Sequence, residues 1–137
     1  MWWLYALLSA FFASLTAIFA KVGIKGIDSD LATAVRTVVI LIITWAIVLA
    51  KGSQAAPGSL SQRNILFLVL SGAATGLSWI FYFKALQLGK VSQVAPIDKL
   101  SVALTIILSI VFLHEALTIR VAAGALLIIA GVIVLIV

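Results

Sequence analysis

Residues 121–137 read VAAGALLIIAGVIVLIV, without one polar side chain. With Ile119 and Arg120 in front, the segment is long enough at 1.5 Å per residue to cross a hydrocarbon core of ~30 Å. Lipid solvates such a surface well, whereas water does not. Four more apolar stretches of similar length occupy residues 2–20, 31–50, 65–88 and 91–113. Their apolar residues do not alternate with polar ones at period two, so the strands of a membrane barrel are not indicated. The reading is an all-α membrane protein with five transmembrane helices, a single transmembrane domain over residues 1–137.

Composition agrees. Hydrophobic residues make up 65% of the chain and charged residues 9%, and mean hydropathy is +1.35. Soluble domains carry roughly 25% charged residues, so water is the wrong solvent for this chain. The net charge of +5 does not indicate nucleic acid. The nine Lys and Arg residues form no run or face, and sit mostly at the ends of apolar stretches, where long cationic side chains reach headgroups. There is no cysteine and one histidine, His114. No disulfide framework, metal site or other cofactor site is expected, and no catalytic constellation is visible.

The connectors have loop chemistry. Asp28-Ser29-Asp30 is an N-cap signal before the second span. Residues 51–64 include Gly52, Pro57, Gly58 and serines, a loop composition. The remaining connectors are short, so their flanking spans run antiparallel. The first stretch lacks a basic leader and exceeds the apolar length of a signal peptide, so it is read as a span.

Lys21, Lys25, Lys84 and Lys90 fall on one side of the membrane, and Lys51, Arg63 and Arg120 on the other. Four against three fixes no orientation under the positive-inside rule. An odd number of spans with so little bias suggests that copies insert both ways round.

Polar residues within the first four spans keep helical spacing. Tyr5, Ser9, Phe12 and Thr16 mark one face; Thr33, Arg36, Thr37 and Thr44 another; then Ser71, Thr75, Ser78 and Tyr82; then Asp98, Ser101, Thr105 and Ser109. Such stripes either line a watery cavity or bond back to their own helices. Gly72 and Gly76 form a G-x-x-x-G, and Gly124 and Gly131 share a face of the last span. These are packing signals, and in an otherwise apolar helix the latter pair suits a dimer seam.

Charges inside the spans are the sharpest candidates. Arg36 lies five residues into the second span, and Asp98 and Lys99 lie seven and eight into the fourth. A Lys, Arg or Asp at the centre of a membrane helix costs ~2.5–3.5 kcal/mol on insertion scales. An ion pair of Asp98 with Arg36 or Lys99 would make them tolerable. Alternatively Arg36, Lys84 and Lys99 with Asp98 form a substrate-path cluster of net charge +2, suited to a carboxylate or phosphate. Pro96, beside Asp98, either begins the helix or breaks it.

The run ALQLGKVSQVAPI over residues 85–97, with Phe112-Leu113-His114-Glu115 and the closing 124–132, resembles one repeat of the EamA-type drug/metabolite transporters. Two departures stand out. His114 replaces the usual glycine of that turn, and Asp98-Lys99 adds charge where many members are less polar. Glu115 is read as a turn residue. Members typically join two inverted five-helix repeats, so the resemblance implies that two chains meet, one inverted. It implies a multi-pass transporter of small metabolites or drugs in the cytoplasmic membrane, working by alternating access as an antiparallel homodimer. It implies a cavity from Arg36, Ser78, Tyr82, Lys84, Pro96, Asp98, Lys99, Ser101 and Thr105. The rivals are a non-transporting subunit that assembles with a larger membrane partner, and a channel.

Overall fold

The computed structural model describes residues 1–52 and 61–136; Pro57, Gly58, Ser59 and Val137 lie outside them. The described residues form six helices and no strand: α1 (Trp2–Gly23), α2 (Ser29–Ala50), α3 (Gln62–Leu88), α4 (Val91–Asp98), α5 (Leu100–Leu113) and α6 (Ile119–Ile136). Taken with α4 and α5 as one interrupted span, five segments are long and apolar enough to cross a membrane.

The helices begin and end where local chemistry permits. Asp28 is extended, and its carboxylate accepts from the N–H groups of Asp30 at 2.9 Å and Leu31 at 3.1 Å, capping α2. Before it, Gly26 takes φ +77, a left-handed conformation that suits glycine. At the start of α3, Ser61 accepts from the Asn64 N–H at 3.2 Å. This is why α3 begins at Gln62, ahead of its first apolar residue.

The fourth span is interrupted at Lys99. Pro96 carries no N–H and its ring crowds the preceding turn. Past it the ladder tightens: the Lys99 N–H bonds the Pro96 carbonyl, and the Val102 N–H bonds the Lys99 carbonyl, both at 3.0 Å and both spanning three residues. Lys99 sits at φ −71, ψ −8, just off helical values. At the other end of α5, His114 adopts the left-handed region at φ 55, ψ 33. It holds the conformation a glycine would take, at a steric cost of ~1–2 kcal/mol. The Ser109 carbonyl accepts from both the His114 and Glu115 N–H groups, the latter at 3.3 Å.

The chain divides into two compact units. One comprises Met1–Ile18 and Leu88–Val137, the other Phe19–Gln87. In the first, α4 and α5 pack on α6, and Ala103 and Val132 are buried. In the second, Ile24, Ser29, Thr33, Phe83 and Leu86 are buried, Leu86 completely. The helix ends there are tied across the chain: the Lys21 ammonium donates to the Leu86 carbonyl, and the Gln87 amide donates to the Ile27 carbonyl at 2.9 Å.

Asp28→Ala should lower stability by about 1 kcal/mol and Asp28→Ser by much less, since serine also caps. Thermal unfolding in a maltoside detergent checks this; equal losses in both variants would remove the cap from the account.

Candidate functional site

The four intramembrane charges divide between the units. Arg36 and Lys84 belong to the second, and Asp98 and Lys99 to the first. In the first unit the Lys99 ammonium lies 3.3 Å from the Asp98 carboxylate, so the expected ion pair is made between sequence neighbours. Lys99 keeps 57% of its side chain exposed, so the pair is a weak tether. Beside it, Ala95, Pro96 and Lys99 face Leu127, Ile128, Gly131, Val132 and Leu135 of α6 across a cleft of about 430 Å³. The helix interruption thus opens onto α6, with one ammonium at the edge of an apolar groove. Ser101 and Thr105 are exposed on α5.

In the second unit Arg36 is half-buried. Its guanidinium carbon stands 4.1 Å from the centre of the Trp79 ring and 5.1 Å from that of Phe83. Trp79 and Phe83 are one helical turn apart on α3, which brings both rings to the same guanidinium as a two-ring shelf. The Tyr82 ring meets Phe83 edge-on at 6.4 Å, and Tyr82 is within electrostatic reach of Arg36. The aromatic faces attract the cation but accept no strong hydrogen bond. Nη1 of Arg36 is buried without a hydrogen-bond partner among the described residues. Ser78 and Lys84 are exposed on the same helix.

A second cleft, of about 450 Å³, runs between α2 and α3. Asp30, Thr33, Ala34, Thr37, Val38 and Leu41 line one wall and Gly76 and Ile80 the other. Its hydroxyls are already engaged: Thr33 donates to the Ser29 carbonyl at 2.9 Å and Thr37 to the Thr33 carbonyl at 2.8 Å. Thr44, Thr75 and Ser109 likewise bond back to their own helices. For these five residues the helical spacing reflects local satisfaction of the hydroxyl, which leaves oxygen lone pairs available to a solute.

No Cβ placed on Gly72, Gly76, Gly124 or Gly131 would meet an atom within 4 Å outside its own helix. The small-residue faces are open in the described chain. Among the described residues no group of three or more His, Cys, Asp or Glu side chains could hold a metal.

The sequence reading named Arg36, Ser78 and Tyr82 but missed Trp79 and Phe83. The available signal was their four-residue spacing in a span that must neighbour an intramembrane cation.

Five apolar helices with charged and hydroxylated clefts define an all-α, multi-pass membrane protein. The chain belongs to the EamA-like transporter family, whose model matches residues 1–137. The resemblance seen in residues 85–115 is therefore correct. The chain is 52% identical over 133 residues to an uncharacterized transporter in the cobO 3′ region of a Sinorhizobium species, covering 92% of this chain and 94% of the relative. An uncharacterized protein of Methanocaldococcus jannaschii is 35% identical over 74 residues, 54% of each chain. No solved structure matches.

Trp79→Leu should destabilise the protein by about 1–2 kcal/mol, and Trp79→Phe by less, because only the former removes a π-face from Arg36. Unfolding temperatures of the two variants decide it; a Leu variant as stable as the Phe variant would show that the ring is merely apolar filling.

Proposed function

We propose that the chain is one half of an alternating-access transporter of small metabolites or drugs, completed in the cytoplasmic membrane by an inverted second copy. One observation carries the reading. Five spans place the two ends of the chain on opposite sides of the membrane, while Lys21, Lys25, Lys84 and Lys90 nearly balance Lys51, Arg63 and Arg120. A chain so balanced has little electrostatic reason to prefer one orientation. Inverted repeats brought together in this way are the architecture in which secondary transporters rock around a midplane site.

Two further features support it. The interruption at Lys99 is the kind of discontinuous helix that supplies backbone groups to a solute, and a cleft adjoins it. Gly124 and Gly131, with open space beside them, offer a face on which a second helix backbone can approach closely. A transporter-named relative of matching length favours transport over an enzymatic or purely structural role.

The native chain has no cysteine, so a single Ser59→Cys variant reports orientation directly. An impermeant maleimide should label about half of the molecules in intact cells, with permeabilised cells giving the total. Labelling of nearly all or nearly none would exclude dual insertion and leave an oppositely oriented partner or a subunit role. Gly124→Leu and Gly131→Leu should keep helix content unchanged but weaken self-association about tenfold, or ~1.4 kcal/mol, measured by analytical ultracentrifugation in maltoside. Unchanged association would move the seam elsewhere.

A further inference from the structure

Arg36 is an intramembrane cation whose charge is answered only in part. Trp79 and Phe83 lie 4.1 and 5.1 Å from the guanidinium carbon, and the π faces of rings at that range attract the cation without supplying an oxygen acceptor. The N–H groups of a guanidinium lie in its plane, and need oxygen acceptors there. Nη1 is buried and has none among the described residues. Nor does any described carboxylate stand within ion-pairing distance of Arg36. Buried donors are normally satisfied, and an arginine fork matches the paired oxygens of a carboxylate or phosphate.

A cleft lies close by on the same two helices. Its lining includes Thr33 and Thr37 of α2, three residues before and one after Arg36, and Gly76 and Ile80 of α3, three residues before and one after Trp79, but neither Arg36 nor Trp79 itself. The cleft is wide enough, at about 450 Å³, for a small solute. Asp30, the acid of its lining, starts six residues earlier, about 9 Å along the helix axis.

We propose that Arg36, held on the Trp79–Phe83 shelf, is an oxyanion-binding group that takes a carboxylate or phosphate. In the transporter reading, on which its functional meaning rests, Arg36 makes anionic metabolites the substrate class. The same chemistry is offered by the phosphate of a lipid headgroup, because Arg36 lies only two turns into α2. Arginine is required for the forked contact; lysine supplies charge without it.

The test uses the full chain, delipidated in dodecyl maltoside, which carries no phosphate. Trp2, Trp3 and Trp45 are replaced by Phe so that emission reports Trp79 alone. Succinate, inorganic phosphate and phosphatidylglycerol are titrated separately against sodium chloride at equal ionic strength. A saturable change in Trp79 emission, with a rise of a few degrees in unfolding temperature, is expected for at least one probe. Response to succinate or phosphate assigns a soluble anion, and response to phosphatidylglycerol alone assigns the headgroup. Arg36→Lys should weaken binding at least tenfold and Arg36→Gln should abolish it.

No response to any probe overturns the proposal, as does an equal response in Arg36→Gln. Should the Gln variant fail to fold, an unchanged affinity in Arg36→Lys overturns it alone. Neither transport nor orientation enters this measurement. Anion binding with a single orientation in cells would remove the inverted dimer and keep the site; dual orientation without anion binding would do the reverse.

Discussion

A polar group in hydrocarbon has no water to turn to, and the rest of this structure depends on that constraint. It dictates helices for every span. It also explains why Thr33, Thr37, Thr44 and Thr75 bond the carbonyl one turn back. Where the fourth span is interrupted, two three-residue bonds around Lys99 keep the N–H groups of Lys99 and Val102 paired. Where α1 and α3 end, Lys21 reaches the Leu86 carbonyl, one of the last four that α3 leaves unpaired, and Gln87 reaches the Ile27 carbonyl in the connector before α2.

Charges are handled by three different devices. Lys99 and Asp98 pair as neighbours, and the ammonium remains exposed, so the pair contributes at most ~1 kcal/mol. Asp28 spends its charge on backbone N–H groups at the start of α2, outside the apolar span. Arg36 leans on two rings instead of an acid. Only the last device leaves a buried donor unmet. An unsatisfied buried donor costs ~1–3 kcal/mol, and aromatic contact recovers ~0.5–2 kcal/mol of the charge's desolvation. The two terms concern different atoms, so the gain at the ring faces does not cancel the deficit at Nη1.

The five spans were legible because nothing but lipid accommodates residues 121–137 and four stretches like them. Their ends were less so. Apolar reading stops at the first polar residue, whereas a helix runs to its cap. Hence α3 begins at Gln62 rather than Ile65, α2 at Ser29 rather than Leu31, and α1 continues to Gly23. The interruption at Lys99 was visible only as an ambiguity at Pro96, since proline in a first turn and proline in a break look alike in sequence. The polar stripes were seen, but whether a hydroxyl faces a solute or its own helix depends on a rotamer. Trp79 was invisible as a partner of Arg36 because the contact joins residues 43 positions apart on different helices.

A glycine in a helix costs about 1 kcal/mol relative to alanine, and Gly72, Gly76, Gly124 and Gly131 have no neighbour within 4 Å to justify it inside the described chain. In water such a face is covered because apolar surface is driven together. In lipid that drive is absent, and helices associate where backbones approach closely enough for dispersion contacts and weak hydrogen bonds. Gly76 borders the cleft between α2 and α3 and Gly131 the cleft between α4 and α6, and while the space beside them stays empty the glycines stabilise nothing that alanine would not. They become favourable once another helix backbone fills the space a methyl group would occupy. In α6 the pair lies on a helix without any polar side chain from Val121 on, so backbone approach is the strongest specific contact this helix can offer. The inverted dimer proposed above would use that face.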